Sequence, residues 1–326
     1  MQTHTSHPEQ DVPVFVLAQH RSGGTLLTRL LNCHSELVIW GEHAGILNKL
    51  AEAQELLEKH AELLPNRSSA EIHRYAAGRL GQIEFRPWTV PFGCTEFLAG
   101  CRTLVRGLFV HGLQPGQRWG FKEIRYHSPT LVRFLRRLFP AAQFILLDRD
   151  PVELCVSDMM VSWALDQLLA DRVQHDSETF FAAVEDCLYA ILAVRQSRLD
   201  ARSAIADQVI AVNYAALALS PEQEMDRIFR FLRLPECPGL QARLHQASRV
   251  VAGATDKAPA IPPNELGLLT EPRIRDAAER LLPRIAARIA REGVDPTRLR
   301  RERGEGRYSY LIGDHAVAET ALSTMF

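Results

Sequence analysis

Seven residues near the amino end, Val12-Pro13-Val14-Phe15-Val16-Leu17-Ala18, make an almost continuous apolar run. Such a run, short and β-branched, fits a strand covered on both faces, as in a parallel sheet. Gln19-His20-Arg21-Ser22-Gly23-Gly24-Thr25 follows as a polar turn, and Leu26-Leu27-Thr28-Arg29-Leu30-Leu31 then takes helical spacing. Strand, tight loop and helix in twenty residues is the unit from which α/β sheets are built.

The pattern recurs. Arg118 to Tyr126 reads as a short strand with a polar carboxyl end. Gln143 to Asp148 is a second clear buried strand, and Val209 to Val212 a third short one. Between them the spacing predicts helices over 44–64, 68–80, 95–111, 129–139, 152–165, 177–199 and 221–232, then 274–289 interrupted at Pro283. The stretches 85–93 and 253–267 read as proline-containing loops, and 304–326 has no pattern. The expectation is a doubly wound α/β fold: a P-loop-type parallel sheet flanked by helices, with largely helical insertions and a helical C-terminal region. Residues 1–11 read as a disordered tail, and 12–326 as one domain with a C-terminal lid and tail. No repeat or long linker divides it.

The loop at Arg21 carries chemistry. Glycines let backbone approach a ligand closely, and the first turn of the next helix offers unpaired N–H groups and a positive dipole end. With Arg21 and the hydroxyls of Ser22 and Thr25, these make an anion cradle. Net charge is -1, from 38 basic and 39 acidic residues, so no overall field attracts nucleic acid or an anionic membrane. Anion binding must therefore be local. The alternative is a Ser/Gly turn that only caps its helix. A Walker A loop is not present, because its leading glycine and its lysine are both missing.

A second strand–turn–helix repeats the theme. Phe144-Ile145-Leu146-Leu147-Asp148 leads into Arg149-Asp150-Pro151, and Ser157 lies two turns along the following helix. Arg149 stands at a strand's carboxyl end, where open α/β sheets bind ligands. Its planar fork suits phosphate, and Ser157 adds a hydroxyl. Arg149 could instead be a salt-bridging turn residue, and Asp148 a Walker B carboxylate.

Together these segments resemble PAPS-dependent sulfotransferases, where PAPS is 3′-phosphoadenosine 5′-phosphosulfate. Arg21-Ser22-Gly23-Gly24-Thr25-Leu26-Leu27 looks like the family's 5′-phosphosulfate loop, in the style of its bacterial, tyrosylprotein and carbohydrate members. Gly24 departs from the usual Thr or Ser. Arg149 and Ser157 fall on the two contact positions of the 3′-phosphate element. Val209 to Pro235 resembles a third family segment, weakened by Ala215 and Arg233 where Glu and Gly are usual. The resemblance implies contacts to the cofactor from Arg21, Ser22, Gly23, Gly24, Thr25, Leu26, Arg149 and Ser157, and from Tyr214 near the adenosine. Tyr214 could equally be a core residue. The family's closing loop often uses a lysine, which implies Lys257 here.

Sulfuryl transfer to a hydroxyl needs a base, stabilisation of the bridging oxygen and in-line geometry. The resemblance implies a glutamate soon after the first helix, and Glu42 occupies that place. His43 is the alternative base, since imidazole titrates near neutrality. Lys122, at a strand end, is the candidate for the transferring sulfonate. An ordinary polar turn and a half-exposed strand end are the competing readings. Arg125 could serve acceptor or cofactor, and Glu123 could pair with Lys122 or Arg125.

The expected function is therefore transfer from PAPS, leaving 3′-phosphoadenosine 5′-phosphate (PAP), to a hydroxyl of a small molecule, carbohydrate, lipid or peptide, without a metal. A P-loop small-molecule kinase and a non-catalytic nucleotide-binding protein are the alternatives. The six cysteines form no C-x-x-C pair and read as free thiols. No signal-peptide order and no run near the ~20 apolar residues of a membrane span appear. The expected location is cytoplasmic. Oligomeric state is not legible.

Overall fold

The structure, a computed structural model, describes residues 12–60, 92–160, 176–249 and 270–295. The expected tail at 1–11, the helix 68–80, most of the loop 85–93, the loop 253–267 with Lys257, and the stretch 304–326 lie outside the described residues. In chain order the elements are β1 (Val14–Ala18), α1 (Gly24–Leu31), β2 (Leu37–Trp40), α2 (Leu47–Lys59), α3 (Cys94–Phe109), β3 (Arg118–Glu123), α4 (Pro129–Leu138) and β4 (Gln143–Asp148). There follow α5 (Pro151–Met159), α6 (Ser177–Ser203), β5 (Val209–Asn213), α7 (Tyr214–Leu219), α8 (Pro221–Leu232), α9 (Leu240–Arg249) and α10 (Glu271–Glu292).

The five strands form one sheet in the order β2-β3-β1-β4-β5, with every neighbouring pair parallel. β1 is central and buried throughout, as its unbroken apolar run requires. Val14, Val16 and Ala18 pack with Leu27 and Leu30 of α1, Met225 and Ile228 of α8, and Leu244 of α9. Phe15 and Leu17 face the other way, onto Trp119, Phe121 and Phe144 and the helices α2, α3 and α4. The aromatic rings interlock there: Phe15 stacks on Phe121 at 4.6 Å and Phe109 on Trp119 at 5.6 Å. A third apolar cluster joins α5, α6 and α10. The chain leaves β1 toward β2 and leaves β4 toward β5, on opposite sides. The carboxyl ends of these two neighbours thus flank the sheet's switch point, where α/β sheets form a crevice.

Some elements differ from the sequence expectation. Leu37–Trp40 is an edge strand, although four residues gave no strand signal. Leu240–Arg249 is a helix where periodicity looked weak. Pro283 does not interrupt α10. It lies on the exposed side, as does Glu279 one turn earlier, so the carbonyl that loses its N–H partner stays open to solvent. Arg233 ends α8 in the left-handed region, at φ 55°, which explains why a glycine would suit that position. Among the described residues, no helix is long and apolar enough to cross a membrane.

Candidate active site

The loop after β1 folds on its own carbonyls. The N–H and hydroxyl of Ser22 both donate to the Gln19 carbonyl, at 3.1 and 2.6 Å. Ser22 is buried and its hydroxyl fastens the turn, whereas the sequence reading counted that hydroxyl as a donor to the anion. Arg21 takes the left-handed conformation at φ 60°, strained for a side chain with a Cβ. Gly23, at φ 93°, caps α1. The first intrahelical bond runs from Leu27 N–H to the Gly23 carbonyl at 3.1 Å. The N–H groups of Gly24, Thr25 and Leu26 therefore lie at the open, positive end of α1. Thr25 is exposed there.

The turn after β4 is built differently. Asp150 caps α5 by accepting from Val152 N–H at 2.9 Å and Glu153 N–H at 3.1 Å. That cap occupies the helix end, which leaves side chains as the anion donors. Arg149 Nη1 donates to the Arg21 carbonyl at 2.8 Å, and Arg21 Nε donates to Ser157 Oγ at 3.1 Å. Arg149 thus grips the carbonyl of the residue that takes the left-handed conformation. Arg149 Nη2 reaches Glu153 at 3.4 Å, while its Nε is buried with no acceptor. Hydrogen bonding to Arg275, chiefly, holds the Glu153 carboxyl below its ordinary range.

Tyr214, the first residue of α7, closes the same corner. Its ring lies under the Arg149 guanidinium, 4.6 Å from centre to carbon, a cation–π contact. It also presses against Gly23, where an added Cβ would come within 2.2 Å of the ring. Arg21, Gly23, Arg149, Ser157 and Tyr214 form one cluster.

A second cluster lies at the end of β3. Lys122 is buried, and its stem crosses Gly24, where an added Cβ would sit 3.1 Å from Lys122 Cδ. Its ammonium pairs with Glu42. Arg125 also reaches Glu42, at 3.4 Å, and binds Glu123 more closely, at 2.7 Å. Glu123 therefore pairs with Arg125, one of the two partners open to it. Fully buried, Glu123 also accepts from the N–H groups of His43 at 2.9 Å, Gly45 at 3.0 Å and Ile124 at 2.9 Å. Burial alone would raise its pKa, but the His43 and Gly45 N–H groups and Arg125 outweigh that and hold it low. This carboxylate thereby shapes the turn that carries Glu42.

His43 is not a free base in this arrangement. Its Nε2 lies 2.6 Å from the Tyr126 hydroxyl, which itself accepts Leu47 N–H at 2.9 Å. Which of the two donates depends on the tautomer of the ring. Burial is the main cause that lowers the His43 pKa and keeps the ring neutral. Tyr126 and the collecting role of Glu123 were not foreseen; both depend on partners far away in the chain. No disulfide joins any of the six cysteines, all of which lie among the described residues.

A family model described as the sulfotransferase family matches residues 13–238. No curated protein matches the chain. Among solved structures, the sulfotransferase domain from the curacin biosynthetic pathway is 19% identical, covers 86% of this chain and 97% of its own, and has a TM-score of 0.42. A sulfotransferase from Mycobacterium avium is 15% identical over 87% of this chain and 77% of its own, with a TM-score of 0.44. One from Alicyclobacillus acidocaldarius is 16% identical over 86% and 95%, with a TM-score of 0.43. The family match spans well over half of the sequence, from β1 through α8, and takes in both loop clusters: the chain belongs to the sulfotransferase family.

Proposed function

We propose that this sulfotransferase uses PAPS as donor and Glu42 as general base toward an acceptor hydroxyl. The observation that carries the reading is the contact between the two anion cradles, Arg149 on the Arg21 carbonyl at 2.8 Å and Arg21 on Ser157 at 3.1 Å. Cradles in direct contact suit the two ends of one nucleotide better than two separate ligands. The residues fit such a group on a further count. Arg149 Nε is a buried donor without an acceptor, which a native site rarely leaves unmatched.

Bound PAPS supplies a sulfuryl group on a stabilised phosphate leaving group. Arg21, the N–H groups of Gly23, Gly24, Thr25 and Leu26, and the Thr25 hydroxyl hold its 5′ end. Arg149 and Ser157 hold the 3′-phosphate and Tyr214 lies on the adenosine side; Lys257, outside the described residues, stays a further contact implied by the family resemblance. Ser22 serves the site by fastening the turn. Lys122, whose stem crosses Gly24, would stabilise the bridging oxygen, where negative charge would grow during transfer. Glu42 is exposed and takes the acceptor proton on its carboxylate. His43 supports the turn instead, because its Nε2 is engaged by Tyr126.

PAP at millimolar concentration tests the donor assignment. At a hundredfold excess over its Kd, a ligand stabilises by about 2.7 kcal/mol. For a protein of this size that raises Tm by about 4 °C. Arg21→Ala and Arg149→Ala should each remove most of the shift. A wild-type Tm unmoved by PAP would overturn the assignment.

A further inference from the structure

Arg198, on α6, is a buried cation that the nucleotide contacts above do not use. Its side chain is 3% exposed. Nη2 donates to two main-chain carbonyls, Leu17 at 3.2 Å and Leu147. Leu17 lies on β1 and Leu147 on β4, neighbouring strands in which Ala18 pairs with Leu147. A few residues beyond these carbonyls, the two strands open into Arg21 and Arg149. One guanidinium thus pins together the strand ends that carry the two cradles.

The charge of Arg198 is also incompletely matched. A buried cation is costly unless it is paired and fully hydrogen-bonded. The carboxylate beside it, Asp148, stands 4.0 Å away and is shared with Arg195, which it accepts at 3.0 Å. Two arginines thus face one carboxylate. Arg198 Nε is buried with no acceptor at all. Burial lowers the Arg198 pKa to about 10, which leaves it cationic at neutral pH.

We infer that Arg198 is a positioning residue of the nucleotide site: it fixes the spacing of the two cradles through the Leu17 and Leu147 carbonyls, and its surplus charge favours a doubly anionic ligand across them. The inference rests on the nucleotide reading above. It differs from a purely structural role in one measurable way. A ligand held at both ends needs fixed spacing, whereas a ligand held at one end does not.

The test titrates PAP and AMP into the full chain by calorimetry, for wild type, Arg198→Lys, Arg198→Met and Asp148→Asn. Wild type should prefer PAP. Arg198→Met should lose at least tenfold of PAP affinity and less of AMP affinity, so the ratio of the two falls. Arg198→Lys keeps the charge but not the two-carbonyl grip, and its ratio should fall between them. It replaces Arg198→Met as the deciding variant if the latter does not fold. Asp148→Asn, which removes the competing carboxylate, should bind PAP at least twofold tighter. A PAP-to-AMP ratio within twofold of wild type in the deciding variant overturns the spacing role. Asp148→Asn binding no tighter than wild type overturns the charge role. Wild type binding neither nucleotide sinks the nucleotide reading itself and this inference with it, whereas normal wild-type binding with unaffected variants sinks only the inference.

Discussion

Replacing Gly23 with alanine imposes two costs that can be separated by experiment. The first is in the backbone. Gly23 sits at φ 93° and ψ 15°, where an L-residue costs roughly 1–2 kcal/mol, less roughly 0.4–1 kcal/mol recovered from the stiffer unfolded chain. The second is steric. The new Cβ would lie 2.2 and 2.4 Å from Tyr214 Cδ2 and Cε2, against about 3.5–4.0 Å for carbons in contact. The ring must move by more than an ångström, which gives up its place under Arg149, 4.6 Å away. That contact is worth about 0.5–1 kcal/mol before packing losses. The total is about 2 kcal/mol, or roughly 3 °C in Tm for a protein of this size. In a Tyr214→Ala background the ring is absent, and Gly23→Ala should cost only the backbone part, about 1 kcal/mol. Urea denaturation of the four proteins yields the coupling directly. Equal costs of Gly23→Ala in both backgrounds would refute the packing of Tyr214 on the phosphate loop.

Glu42→Gln should lower kcat by about 10²–10⁴-fold, the usual worth of a general base, while leaving the PAP-induced Tm shift intact. The readout is release of PAP from PAPS with a hydroxyl acceptor present, and a kcat within threefold of wild type would remove Glu42 from the mechanism. Acid should loosen the turn that carries Glu42. Both Glu123 and His43 have folded pKa values below their ordinary 4.5 and 6.5, so the unfolded chain binds more protons than the folded one as pH falls. Their contribution is full above pH 6.5, declines first through His43 and then, below pH 4.5, through Glu123. Tm measured from pH 5 down to about pH 3, the range in which Glu123 titrates, should fall less steeply in Glu123→Gln than in wild type, each measured against its own value at pH 5, and parallel curves would contradict the assignment.

The parts of the fold that are legible in the sequence are those whose environment is local. β1 and β4 announce themselves because both faces of each are covered, so every residue is apolar or nearly so. β2 does not, since only two of its four residues are buried. α9 presents few apolar residues, Leu240, Leu244 and Ala247, to its neighbours, too few to set a period. The same division runs through the site. Arg21 and Arg149 are legible because a strand, a turn and a helix define each within a dozen residues. The inward turn of the Ser22 hydroxyl is a matter of backbone geometry that no residue type encodes. The grip of Arg198 on Leu17 and Leu147, and the collection of His43 and Gly45 N–H groups by Glu123, join segments far apart in the chain. Those contacts exist only once the sheet has assembled.

Affinities of PAP, AMP and adenosine 3′-phosphate for wild type, Arg21→Ala and Arg149→Ala probe the joined cradles most directly. If Arg149 holds the 3′-phosphate, Arg149→Ala should shrink the advantage of PAP over AMP, and if Arg21 holds the 5′ end, Arg21→Ala should shrink the advantage of PAP over adenosine 3′-phosphate. Each lost charged contact should cost about 1.5–3 kcal/mol, roughly ten- to hundredfold in Kd. Either variant that weakens all three nucleotides by the same factor would contradict the assignment of the two arginines to opposite ends of one ligand.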